Sequence, residues 1–412
     1  MKPDMNKIVD LTGNATGAAD VADAWRDFPG VEGKTYMDVA ARGLMPRSTR
    51  AALAAHLDEF AAGEVDKPGY FDMIERVRGR FARSINASPD EIAFTKNITE
   101  GLNIVAASLD WKPGDNLVLC PEIEHPANFY PWLNLQRLGV ELRMVTARGG
   151  QVPVDEMAGR IDSHTRLVTT ATISFAPGLR TDVAALGRAC RERGVRLVVD
   201  AAQSAGVLAT DVERMAIDAL ACSTQKWLLA LYGMGFLYVR RDFAQRMEPA
   251  YLSRFGIDLG DASEADLGYE YRLAPGARRF DVGNFNFTAC VAAEASLEYL
   301  SRFDGSALER HAVGLANDLR RGLAGLGLPV CGGIEGGHLA HILTVGSVGA
   351  GGHDTTSDAR MQALYDYLVA NEVRLSIRRG TLRFSLHLYN RAEDVARVLE
   401  LTKKFLAADK RR

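Results

Sequence analysis

Short runs in which nearly every residue is apolar recur between residues 92 and 240, separated by segments of helical spacing. Ile92–Phe94, Leu117–Cys120, Glu141–Thr146, Arg166–Ser174, Val195–Asp200, Asp218–Cys222 and Phe236–Arg240 read as strands. Asn128–Leu138 and Val183–Glu192 read as helices, the second closed by Arg193-Gly194. Strands that are apolar on both faces and separated by helices predict a buried, mostly parallel α/β sheet. Ligands of such sheets bind beyond the carboxyl ends of the strands. After about Phe285 the texture changes to long helical runs, Thr288–Phe303 and Leu308–Leu323. His338–Val345, a Gly-rich loop at Val348–His353, a helix at Arg360–Glu372, a strand at Thr381–His387 and a helix at Ala392–Ala407 follow. The expected division is a large α/β domain over 31–287 and a smaller α+β domain formed by 1–30 with 288–412.

Length and charge narrow the classes. The chain has 412 residues, room for two or three domains. Its 49 Lys plus Arg against 52 Asp plus Glu give a net charge of −3. That balance is not the basic footprint of a nucleic-acid binder, and no polybasic block faces anionic lipid. The five cysteines, Cys120, Cys190, Cys222, Cys290 and Cys331, lie far apart, which argues against a disulfide framework or a CxxC metal site. The eight histidines show no metal-binding spacing. The N-terminus carries no apolar secretory core and no stretch is long enough to span a membrane, so a cytoplasmic protein is expected.

Two residues carry the chemistry. Asp200 ends an apolar strand; it is either a helix N-cap or a buried anion that needs a cation. Lys226 lies in Ser223-Thr224-Gln225-Lys226-Trp227, between a strand and Leu228-Leu229-Ala230. Alone it reads as an amphipathic surface lysine; flanked by Trp and Leu, a partly desolvated amine would be a nucleophile. A carboxylate after one strand and a lysine after the next, 26 residues on, suit pyridoxal phosphate. The lysine forms the Schiff base, and the carboxylate keeps the ring nitrogen protonated. Asn97-Ile98-Thr99-Glu100-Gly101 supplies a strand-to-helix turn whose free N–H groups suit a phosphate, with Ser223 and Gln225 completing the cradle. Thr99 alone would equally be a capping residue.

The runs LVVDAAQSAG and STQKWLLALYGMGFLYV resemble the class V aminotransferase fold of pyridoxal-phosphate enzymes, in the branch of cysteine desulfurases, selenocysteine lyases and isopenicillin N epimerase-like proteins. Further blocks occur in that family's order. They are Tyr36 to Ala41, Phe94 to Asn103, Glu124 to Asn128 with Pro131-Trp132, Arg279 to Asn284, and Arg383 to Asn390, across roughly residues 35 to 400. The resemblance implies fold type I, with a mostly parallel seven-stranded sheet in the large domain. It implies that Lys226 holds the cofactor, Asp200 meets its ring nitrogen, Gln203 its phenolic oxygen, and His125 stacks on its ring and shuttles protons. Ile98, Thr99, Ser223 and Gln225 would hold the phosphate. Asn284 replaces a family Thr in a loop that, in relatives, reaches the neighbouring subunit's phosphate, which implies a homodimer. Arg383 would clamp the substrate carboxylate.

Three departures shape the expected reaction. Val373 to Leu382 is short and lacks the cysteine that desulfurases carry in that region, and Cys331 lies too early in the pattern. Phe175 stands where desulfurases have Asn and could face a substrate side chain. Arg42, Arg374, Arg378 and Arg379 make the pocket edge basic, which points to an anionic amino-acid substrate; a solvated Arg42 is the plainer alternative. The expected activity is a β-eliminating, C–S-type lyase, with transamination second and epimerisation third. A non-catalytic scaffold is disfavoured by the presence of both Lys226 and Asp200.

Overall fold

The computed structural model describes residues 19–260 and 270–409. Seven strands form the central sheet: β1 (Ile92–Thr95), β2 (Asn116–Leu119), β3 (Glu141–Met144), β4 (Thr165–Ala171), β5 (Arg196–Asp200), β6 (Ala219–Ser223) and β7 (Gly235–Val239). Their spatial order is β1-β7-β6-β5-β4-β2-β3. Only β7 runs antiparallel, between β1 and β6; the other pairings are parallel. The α/β, mostly parallel expectation holds.

The residues of β5 explain why this sheet is interior. Leu197 and Val199 join one apolar cluster, with Phe81, Val118, Leu186 and Phe236. Val198 faces the other way, into a cluster with Leu102, Leu117, Trp132 and Leu237. Each fully buried aliphatic side chain contributes roughly 1.5–3 kcal/mol, so a strand with no polar face is stable only when covered on both sides. Helices α2 (Lys67–Ser84), α3 (Ile98–Ala107) and α4 (Val183–Glu192) supply part of that cover, while α1 (Arg47–Ala62) lies outside both clusters. Asp182 caps α4 by accepting the Ala185 N–H at 2.9 Å.

A second, antiparallel sheet has the order β8-β10-β9, from β8 (Ile342–Val345), β9 (Ser376–Arg378) and β10 (Thr381–Ser385). Around it lie α6 (Gly305–Gly325), α7 (Ala359–Ala370) and α8 (Ala392–Asp409), while α5 (Phe287–Leu300) packs on α1 and α2. Residues 1–18, most of the segment expected to join the smaller domain, lie outside the described residues. Phe28 packs against Tyr299 and Tyr389, with ring centroids 5.7 and 4.9 Å away.

Two sequence readings need correction. Asn128–Leu138 is not one helix. It is a turn at Pro126–Asn128, a short helix at Tyr130–Leu133 and a 3-10 segment at Asn134–Leu138. Pro126 and Pro131 lack the N–H a helix needs, and buried Asn128 accepts from Trp132 Nε1 and Thr169 Oγ1, both at 2.9 Å, tying the segment to the sheet. Helices α1 and α2 were not read from the sequence. Thr49 and His56 are the buried residues of α1, so it offers no apolar stripe to recognise.

A buried ion pair ties the chain together behind the sheet edge. Arg78 of α2 meets Asp281 at 2.9 Å, with side chains 1% and 3% exposed, and Asp281 also accepts the Phe94 N–H of β1 at 2.9 Å. Asp281→Ala strands a buried guanidinium and is expected to cost about 3–5 kcal/mol. Urea unfolding of the cofactor-free protein measures this. The double change Arg78→Met with Asp281→Leu is expected to lose less, because no unpaired charge remains.

Candidate active site

Because β1, β2, β4, β5 and β6 are parallel, their carboxyl ends share one edge. The segments leaving that edge carry Ile98 and Thr99 after β1, His125 after β2, Phe175 after β4, Asp200 and Gln203 at and after β5, and Ser223, Gln225 and Lys226 at and after β6. The lysine turn is held by close backbone approach. Gly43 N–H donates to the Gln225 carbonyl at 2.9 Å, and a Cβ on Gly43 would sit 2.0 Å from the Lys226 carbonyl oxygen. Gly206, with φ +104, abuts the Trp227 carbonyl in the same way.

Asp200 is 4% exposed, and its Oδ1 accepts the Ala202 N–H at 2.8 Å. Burial raises its pKa to about 6, opposed by that hydrogen bond and by the Lys226 charge. Burial lowers Lys226 to about 8; Arg383 and Arg378 push the same way, and Asp200 resists. Neither Lys226 Nζ nor Asp200 Oδ2 has a hydrogen-bond partner among the described residues.

Gln203 is oriented from behind. Trp227 Nε1 donates to its Oε1 at 2.8 Å; an indole N–H cannot accept, so the amide nitrogen faces the other way and donates to the Ala40 carbonyl at 3.2 Å. One amide hydrogen is left over. His125 Nδ1 accepts the Ala127 N–H at 3.1 Å, and burial, followed by the charges of Lys226, His353, Arg383 and Arg378, lowers its pKa to about 4. Neutral His125 stands edge-on to Phe175, centroids 4.9 Å apart.

At the start of α3, Asn97 Oδ1 accepts the Glu100 N–H at 2.9 Å, which leaves the N–H groups of Ile98 and Thr99 outside the helical ladder. Ser223 is buried and Gln225 half-buried. Arg383, on β10, is 1% exposed. Its Nε donates to Ser376 Oγ at 3.2 Å, Asp38 Oδ1 lies 3.9 Å from Nη2, and Nη1 has no partner among the described residues. Burial, then Arg378, lowers its pKa to about 9. The Arg383 guanidinium lies 5.8 Å from the Phe175 centroid. Arg42 and Asn284 are exposed; Asn284 lines a small cavity with Lys96, Glu100 and Phe285.

Sequence reasoning did not single out Asp38, Glu124, His353 or Asp354. Asp38 reaches Arg383 because Met37 and Asp38 run beside β10, the Ser385 N–H donating to the Met37 carbonyl at 2.9 Å. Buried Glu124 accepts the Ala171 N–H at 2.7 Å; burial and the nearby Asp200 raise its pKa to about 8. His353 and Asp354 lie in a glycine-rich loop with no local motif. A surface cavity of about 990 Å³ around Arg148, Arg180, Arg188, Arg214 and His338 is lined by none of the predicted site residues.

An unpartnered amine, an unpartnered carboxylate oxygen, a spare amide hydrogen and two free helix N–H groups at one sheet edge fit pyridoxal phosphate. The fold and site define an enzyme dependent on that cofactor. The family model Aminotransferase class-V matches residues 35–398, and the chain belongs to that family. It is 31% identical over 389 residues to a probable cysteine desulfurase of Methanothermobacter thermautotrophicus, covering 90% of this chain and 95% of the relative. It is 26% identical to the uncharacterized aminotransferase YcbU of Bacillus subtilis, covering 90% and 95%. The apo structure of a cysteine desulfurase from Thermococcus onnurineus superposes with a TM-score of 0.81 at 26% identity, covering 94% and 98%.

Purified protein is expected to absorb near roughly 410–430 nm, the range of a protonated lysine-bound cofactor, and Lys226→Ala to lose that band. A stable band in the variant would sink the lysine assignment. In the cofactor-free protein, Lys226 is expected to react with trinitrobenzenesulfonate faster as pH rises through about 8, since only the unprotonated amine is nucleophilic.

Proposed function

We propose that the protein is a β-eliminating lyase that removes a sulfur leaving group from an amino acid. The arrangement that carries this reading is a half-buried amine beside the orphaned Arg383 guanidinium, walled by neutral His125 and Phe175, with no thiol at the substrate-facing hairpin. Lys226 holds the cofactor. Asp200 would meet its ring nitrogen and Gln203 its phenolic oxygen. His125 would stack on its ring. The N–H of Ile98, with Thr99, Ser223 and Gln225, would take the phosphate. When bound, pyridoxal phosphate supplies the electron sink that labilises the Cα–H bond.

The protein's own groups do the rest. Arg383 binds the substrate carboxylate, which satisfies its unpartnered Nη1. Lys226, with a pKa of about 8, is sufficiently unprotonated near neutral pH to take the Cα proton. Phe175, 8% exposed, excludes water on the side-chain face, and Arg42 meets a second anionic group of the substrate.

Support against persulfide chemistry comes from the cysteines. Cys120, Cys190, Cys222 and Cys290 are buried with raised pKa values, and burial raises Cys331 as well. Cys331 lines a separate cavity of about 470 Å³ with Pro177, Val348 and Arg379, which none of Lys226, Asp200, His125 or Arg383 lines. β9 and β10 are joined by Arg379-Gly380 alone. Of the described residues, 31–260 and 270–287 would form the cofactor-binding domain and 19–30 with 288–409 the smaller one. Two copies pair so that Asn284 reaches the partner subunit's phosphate, and the enzyme works in the cytoplasm.

The test is a product screen with single amino acids and no amino acceptor. Pyruvate and ammonia from cysteine, cystine or β-chloroalanine are the expected products. A shift of the absorbance to roughly 330 nm that a keto acid reverses would instead establish a transaminase. Arg383→Ala is expected to lower kcat/KM about 10- to 100-fold by removing a charge-assisted carboxylate contact. Light scattering of the active enzyme is expected to give the dimer mass; a fully active monomer would defeat the shared-site assignment.

A further inference from the structure

The loop following β8 carries His353 and Asp354 to the wall of the site. It is pinned at both ends: Gly349 N–H donates to the Arg379 carbonyl at 2.7 Å, and the Ser357 N–H and hydroxyl both donate to the Ala350 carbonyl, at 2.6 and 2.7 Å. The His353 ring stacks on Phe175, centroids 5.4 Å apart and planes 25° from parallel. Phe175 in turn contacts His125 on the amine side and faces Arg383. His353 Nδ1 lies 2.8 Å from Asp354 Oδ2, and Asp354 Oδ1 pairs with Arg378. An ionised carboxylate only accepts, so Nδ1 carries hydrogen and Nε2 is the atom free to exchange a proton. The imidazole is 55% exposed, so water can reload it.

We infer that His353, held by Asp354, is the catalytic acid that protonates the departing sulfur. The inference rests on the elimination reading. In that reaction the Cβ–S bond breaks, its electron pair goes to sulfur, and the sulfur needs a proton to leave as a thiol. The imidazolium of His353 gives its Nε2 proton to sulfur and becomes neutral; solvent restores it. Other groups facing the pocket are otherwise engaged. His125 is neutral, and its Nδ1 is occupied by the Ala127 N–H. Lys226 takes the Cα proton. Asp38, raised by burial, sits at the Arg383 end, where the carboxylate binds. Arg378 is paired with Asp354, and Arg383 is engaged by the substrate carboxylate.

His353→Phe keeps a ring against Phe175 and removes the proton. Two substrates separate the roles: S-methylcysteine, whose thiolate needs protonation, and β-chloroalanine, whose chloride does not. The variant is expected to form pyruvate about 100-fold more slowly from S-methylcysteine and within about threefold of the parent from β-chloroalanine. Equal loss with both substrates, or loss with neither, would overturn the assignment. Absence of pyruvate from β-chloroalanine with the parent enzyme would instead remove the elimination reading itself. A readout without turnover uses the Lys226→Ala protein loaded with pyridoxal phosphate. There S-methylcysteine, but not alanine, is expected to shield His353 from diethyl pyrocarbonate, as followed by peptide mass spectrometry. Equal labelling of His353 with either ligand counts against contact with the leaving group.

Discussion

Asp200 is a carboxylate taken out of water at the end of β5, and such a charge is tolerated only where a cation or hydrogen-bond donors share its surroundings. One oxygen is met by the Ala202 N–H; the rest of the compensation is electrostatic and comes from Lys226. Lys226 is in turn disfavoured as a cation by its own burial and by Arg383 and Arg378. Asp200, Lys226 and Arg383 cannot relax independently, because each sits on a segment fixed by the central sheet or by β10. The result is an amine whose pKa is drawn down to about 8 beside a buried carboxylate.

The same constraint explains the support behind the site. Trp227, fully buried, follows Lys226 directly and packs against His341 and His387. His341 Nε2 lies 2.8 Å from the Gln203 carbonyl, and His387 Nε2 lies 3.0 Å from the Trp227 carbonyl. Burial lowers both histidines to about 3, so they stay neutral and act as rigid hydrogen-bonding struts. The lysine turn is thus braced from the β8–β10 side as well as from the central sheet. The residues after Lys226 are anchored in two apolar clusters, Leu228 in one and Trp227 with Leu229 in the other.

How much of this was legible in the chain follows from range. The strands could be read because an interior parallel strand has no polar face, and Leu197-Val198-Val199 states that in three residues. Asp200 and Lys226 could be read because Asp200 ends such a strand and Lys226 lies in the turn after the next one. The 128–138 segment could not, since proline and a buried asparagine override its helical spacing. Asp38 and His353 were illegible for another reason. Their neighbours in space, Arg383 and Phe175, are remote in sequence; Asp38 sits inside the Tyr36 to Ala41 block without a role there, and His353 sits in no pattern at all. Arg383 itself was found through a motif; its missing partner on Nη1 is visible only in three dimensions.

The β9–β10 hairpin shows how a backbone detail bears on chemistry. Arg379 and Gly380 both have positive φ, +48 and +91, the geometry of a two-residue turn that reverses the chain with no residues to spare. Arg379 uses its guanidinium to hold the Glu122 carbonyl, three residues before His125, and its own carbonyl to hold Gly349. A turn engaged on both sides cannot swing a nucleophile across the pocket. What it does instead is fix the His125 segment, the Arg383 strand and the His353 loop relative to one another. In the elimination we propose, that rigidity would hold the proton-transferring groups at set distances.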